Sequence, residues 1–250
     1  MRQSGASLKY AALPFLVALL FGVSGVMAGN QSKTQSAPEN KILDTKVPEF
    51  ELHNQTLVDG LWKLARGPEP FAFGFERVLK KRLSDPEMQD PGFSLQLKNK
   101  TVREVLDALC QADSRFTWSM DGATVNVFPR AVANDPTYLL NRKLAKFELR
   151  NATDVQDGLL AIVHQLPPPI EQVANSQVGG ADPYPPEPWT VILENVTIRQ
   201  VINQLAAHGG PSGIWIFGGA NDFRSFGFFN THPSPWLLKS KESRPEDTRP

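Results

Sequence analysis

The sequence predicts an α+β fold: two tandem small modules, each running β-α-β-β-α-β-β with helices packed on short mixed sheets. Two observations predict it. Phe50-Glu-Leu-His-Asn-Gln-Thr56 recurs as Phe147-Glu-Leu-Arg-Asn-Ala-Thr153, and Leu97-Lys-Asn-Lys-Thr-Val-Arg103 recurs without a gap as Leu193-Glu-Asn-Val-Thr-Ile-Arg199. The offsets are 97 and 96, so both elements keep their order and spacing across the two halves of the chain.

All four places share one local logic. Each opens with alternating apolar and polar residues, as in Phe93-Ser-Leu-Gln-Leu97, the period of a strand with one buried face. Each passes through Asn-x-Thr, at Asn54, Asn99, Asn151 and Asn195, and each has an acid or amide three residues after the Thr: Asp59, Glu104, Gln156 and Gln200. A Thr and an acid or amide at that spacing form a capping box, each side chain satisfying a backbone N–H that the helix start leaves unpaired. Behind the cap the apolar period becomes helical. Val102, Val105, Leu106, Leu109 and Cys110 lie on one stripe, as do Ile198, Val201, Ile202, Leu205 and Ala206. The same triplets are N-glycosylation acceptors, but a sequon has no reason to recur at one junction with a cap partner behind it.

Further along each half the pattern predicts a hairpin. Arg115–Met120 and Thr124–Phe128 flank Asp121-Gly122, which reads as a type I′ turn. Gly213–Phe217, Gly218-Gly219 and Phe223–Phe229 stand in the same place of the second half, with a looser turn. Phe71–Val78 supplies the strand between the helices of the first half; in the second half a proline-rich insertion over 166–188 interrupts that region. The organisation read from the chain is therefore a first module over 47–130, a linker over 131–143 and a second module over 144–231. A polar flexible linker over 29–46 precedes them, and a charged, proline-rich tail over 232–250 reads as disordered.

The N-terminus reads as an export signal over 1–28. Arg2 and Lys9 give a positive start, Tyr10–Gly25 is largely apolar, and Val26-Met27-Ala28 places small residues around a cleavage site before Gly29. An uncleaved anchor is the alternative, since the stretch is just long enough to span a bilayer. Nothing later in the chain approaches a transmembrane length, so the mature protein is expected to be periplasmic or secreted, with no integral membrane segment.

These residues, together with the order of elements, resemble the secretin and TonB short N-terminal domain family. The likeness is carried by Thr56-Leu-Val-Asp-Gly-Leu-Trp-Lys-Leu-Ala65, by Phe93–Leu109 and by the Phe116–Phe128 hairpin; residues 47–129 follow the family pattern closely and 144–229 more loosely. The resemblance implies non-catalytic recognition modules of a Gram-negative-type envelope. The sequence runs only to Pro250 and carries no barrel or channel segment behind the repeats, so a free-standing pair is implied and a transport function is not.

Composition and motifs add constraints. Lys+Arg and Asp+Glu both total 26, so no global field favours nucleic acid. Cys110 is the single cysteine, which excludes an internal disulfide and paired-Cys zinc sites; its counterpart Ala206 makes it a core residue. His53, His164, His208 and His232 are isolated from other ligand types, and no cofactor, metal or nucleophile motif occurs. His53 falls on the polar phase of its strand, His208 at a helix end where a positive charge suits the dipole, and Lys80-Lys81-Arg82 among acids reads as a solvated face.

The leading functional expectation is an exported protein-interaction module with a protein partner in the envelope. Its candidate surface is Tyr184 and Trp189 in and beside the proline-rich insertion, with Phe226 and Phe228 on one face of the last strand. Phe223 and Phe229 share the other face. Two alternatives stay open: an envelope enzyme using scattered residues such as His164, Asp182 and Glu187, and a structural subunit assembling through sheet edges.

Overall fold

The computed structural model describes residues 39–230 except 68, 83, 86–88, 166–172, 179–187, 209–212 and 222–223, and at 39–40, 173–178 and 230 it describes the backbone alone. The fold is α+β. In chain order it runs α1 (Glu39–Asp44), β1 (Lys46–Gln55), α2 (Leu57–Ala65), β2 (Ala72–Glu76), β3 (Phe93–Thr101), α3 (Val102–Ala112), β4 (Phe116–Asp121) and β5 (Thr124–Pro129). After two 3₁₀ turns, Arg130–Val132 and Leu139–Asn141, come β6 (Lys143–Ala152), α4 (Val155–Gln165), β7 (Val173–Val178), β8 (Trp189–Thr197), α5 (Ile198–His208), β9 (Gly213–Gly219) and β10 (Arg224–Asn230).

The two stretches read as linkers are structured where they are described. In α1, within the segment 29–46, Leu43 is buried in the first core. In the 131–143 segment, Leu139 and Leu140 are buried in the second. The two pieces are counterparts. The Val102 N–H donates to the Thr45 carbonyl (3.0 Å), and the Ile198 N–H donates to the Arg142 carbonyl (3.0 Å). Each half therefore begins with a helical turn whose leucine plugs the core, a signal too short for periodicity to show.

Each asparagine of the Asn-x-Thr triplets has a positive φ, between 47° and 53°. Asn tolerates this left-handed backbone better than other side-chain-bearing residues, which is why the triplet opens with it. At Asn54 and Asn151 the kink coincides with a register shift in the β1–β3 and β6–β8 ladders. The following Thr then caps. Thr56 with Asp59 and Thr101 with Glu104 form complete capping boxes. Thr197 and Gln200 make the same reciprocal pair at 3.2 and 2.9 Å. The third junction departs from expectation: α4 starts one residue later, Asp154 Oδ1 accepts the Gln156 N–H (2.9 Å), and Asp157 rather than Gln156 reaches back to Thr153. The first hairpin differs too. Its turn residues are Gly122-Ala123, and among them only Gly122 has positive φ (58°), the pattern of a type II′ turn.

In each half, two helices lie between a two-stranded antiparallel sheet (β1–β3 or β6–β8) and part of a six-stranded sheet. That larger sheet has the order β4-β5-β2-β9-β10-β7, so the halves are joined rather than separate: β2 pairs in parallel with β9. The register puts Phe73 beside Ile214 and Gly74 beside Trp215. Phe73 and Ile214 belong to the core under α2 and α3, whereas Trp215 and Phe217 belong to the core under α4 and α5. Side chains alternate faces along a strand, so the two helix pairs cover opposite faces of one sheet. Gly74 permits this junction: a Cβ there would meet the Trp215 ring at 2.2 Å.

A candidate ligand cleft between the two halves

Where the halves meet, the polar side chains sort into two groups. The first is buried and complete. Glu76, fully buried at the end of β2, receives Arg199 of α5 through Nε and Nη2 at 2.5 and 3.2 Å, and the Arg199 guanidinium lies 4.5 Å over the Phe128 ring. Burial pushes the Glu76 carboxyl up, and Arg199 pulls it back toward ionisation. Beside this pair, Trp215 Nε1 donates to Asn203 Oδ1 (2.8 Å) and Asn203 Nδ2 donates to Asp121 Oδ2 (2.9 Å), tying α5 to the end of β4.

The second group lines a cleft of about 780 Å³ formed by the segments after β2, before β4 and after β5, together with Asn221 and Arg224. Both halves contribute: Arg77, Arg115 and Arg130 come from the first, Arg224 from the second. Arg115 is held by Asp113 (2.7 and 2.8 Å) and Asp90 (3.1 Å), which raise its pKa further. Arg77 lies 3.7 Å from Asp90, a carboxylate it shares with Arg115. Among the described residues Arg130 donates to main-chain carbonyls, those of Ser114 (3.3 Å) and Phe116 (2.9 Å), with no carboxylate in ion-pair contact.

Arg224 stands apart. Its Nε is buried without a hydrogen-bond partner among the described residues. Burial, and then the neighbouring Arg142 charge, make this guanidinium less basic than usual. Tyr138 stands within electrostatic reach of Glu76, Arg199 and Arg224, and among the described residues its buried hydroxyl has no partner in hydrogen-bond geometry; burial first and Glu76 second drive its pKa upward. The carboxylate on the cleft wall, Asp135, accepts from the Thr137 N–H (2.8 Å) and hydroxyl (2.7 Å), which hold it below the ordinary range.

The aromatic residues singled out from sequence do not gather at this site. Phe226 and Phe228 are buried in the second core, so they cannot offer an accessible partner surface. The β10 register explains it: they face α4 and α5, while Phe229 packs edge-on against Trp62 (5.6 Å) on the other side of the sheet. Trp189 is half-buried and stacks on His208 at 4.3 Å with an interplanar angle of 9°. That packing lowers the His208 pKa by desolvation, opposite to the charged helix-end role expected for it. His53 is exposed beside Glu51, His164 is exposed at the end of α4, and Cys110 is a core residue whose thiol burial pushes up to about 12. Tyr184, Phe223, Asp182, Glu187 and His232 lie outside the described residues.

Sequence reasoning missed the cleft because its arginines come from four separated segments, each unremarkable alone. Arg115 and Arg130 flank the predicted hairpin, Arg77 follows the strand between the helices, and Arg224 opens the last strand. No described helix is long and apolar enough to cross a membrane. Set against family models, curated proteins and solved structures, the chain matches none.

Proposed function

We propose that this chain is an exported, non-catalytic protein-interaction module of the cell envelope, built like a pair of secretin/TonB short N-terminal domains, and that it receives its partner in the cleft between its halves. One observation carries this reading: the cleft assembles arginines from both halves, and the half-buried Arg224 keeps its Nε buried there without an acceptor among the described residues. A buried polar group without a partner costs on the order of 1–3 kcal/mol, more when charged, and a bound partner would recover that cost. The apolar, small-residue exit of residues 10–28 supports export, and mature protein beginning at Gly29 on N-terminal sequencing is the expected result.

A photo-crosslinking residue placed at Val132 in the full chain, expressed in a Gram-negative envelope, tests the reading. The expected result is one adduct of defined mass that Arg224→Gln removes while the circular dichroism spectrum stays unchanged. Absence of any adduct, together with turnover of a small substrate abolished by His164→Ala, would overturn it in favour of an enzyme.

A further inference from the structure

The cleft has a specific charge pattern. Of the arginines lining it, Arg115 is matched by Asp113 and Asp90, and Arg77 shares Asp90. Among the described residues, Arg130 and Arg224 are matched by no carboxylate in hydrogen-bond contact. The acid on the wall, Asp135, accepts from the Thr137 hydroxyl and N–H. The chain is neutral in total, with 26 basic and 26 acidic residues, so this positive excess is local. Between the cations the wall is hydrocarbon: Val78, Leu79, Val132 and Leu139. The volume, about 780 Å³, lies in the range of sites that enclose most of a small ligand or a few residues of peptide.

From these features we infer that the cleft takes a carboxylate carried on an apolar body, the C-terminal residue of a partner polypeptide being the source that accords with the protein-interaction reading on which this inference rests. A guanidinium presents parallel N–H donors that match the two oxygens of one carboxylate, and the hydrocarbon wall excludes water from that pair, which strengthens it. A free phosphate would satisfy the arginines but leave the apolar wall in water, so the wall selects against it.

The test uses the intact mature chain and four probes: acetyl-Ala-Ala-Leu-Val with a free carboxylate, the same peptide amidated, hexanoate and inorganic phosphate. Binding is read by NMR, following the Arg224 Nε–H and the Val132 and Leu139 methyls. Saturable shifts with the acid peptide, weakened about tenfold or more by amidation and by Arg224→Gln, are expected. Arg130→Gln, a change on the exposed rim, weakens binding less and keeps the test valid if Arg224→Gln does not fold. Hexanoate binding as tightly as the peptide would uphold the carboxylate and point to a small organic acid, contradicting the protein-partner reading alone. Equal binding of acid and amide, binding of inorganic phosphate as tight as the acid peptide, or no saturable shift at millimolar probe would overturn the inference.

Discussion

Arg103 of α3 and Arg199 of α5 occupy the same position, two residues after the capping Thr, and they behave differently. Arg103 is exposed and lies 5.8 Å over the half-buried Trp118 ring. Arg199 is largely buried and paired with Glu76 of the other half. Their neighbours diverge in step. Trp118 donates to Asp107 (2.8 Å) near solvent, whereas its counterpart Trp215 donates to Asn203 (2.8 Å) in the interior. The same skeleton thus carries a solvent-facing edge in the first half and a buried junction in the second. What separates them is the presence of a neighbouring strand, β2, with Gly74 and Glu76 in register. Among the described strands β7 lies at the edge of the sheet and corresponds to β2, and the register puts Ser176 and Val178 where the junction has Gly74 and Glu76.

The largest contrast should appear at the two arginines. Glu76→Ala leaves Arg199 buried without its carboxylate and is expected to cost about 3–5 kcal/mol in urea unfolding. Arg103→Ala removes only an exposed contact and should cost under about 1 kcal/mol. Similar costs at both would mean that the halves are equivalent and the junction is not special.

A smaller contrast lies in the caps. Thr101→Ala and Thr197→Ala should each cost about 1 kcal/mol, while Thr153→Ala should be near zero because Asp154 caps α4 in its place. Asp154→Ala should recover the missing penalty. This also shows how far the sequence was legible. The Asn-x-Thr spacing located three of the caps residue by residue, because capping is local chemistry written in four adjacent positions. One inserted residue before α4 shifted the fourth, and a repeat aligned by its Thr could not reveal that shift. The β2–β9 pairing was harder still. Its evidence in the sequence is a single glycine, and pairing between strands some 140 residues apart leaves no periodic trace. For the same reason the aromatic face of β10 read as an open surface, although Phe226 and Phe228 fill the second core.

The smallest expected effect is acid sensitivity. The Thr101 N–H and, next, Lys100 hold the Glu104 carboxyl down to about 2 from an ordinary 4.5, so its contribution is present above pH 4.5 and is lost as pH falls toward 2. Gln200 fills the same place in the second half and does not titrate. Amide exchange at the start of α3 should therefore rise between pH 4.5 and 2 more than at the start of α5, and Glu104→Gln should remove the difference. Equal pH dependence at both helix starts would refute the assignment.

The central claim is that the two halves form one sheet, and with it one preformed cleft, through Gly74 and Trp215. Hydrogen–deuterium exchange on Gly74→Ala tests it most directly, because the new methyl pushes on a ring that belongs to the other half's core. The account predicts faster exchange in α5 and β9 as well as in β2, together with loss of protection around Arg224. Exchange confined to β2, with α5 and β9 unchanged, would contradict it.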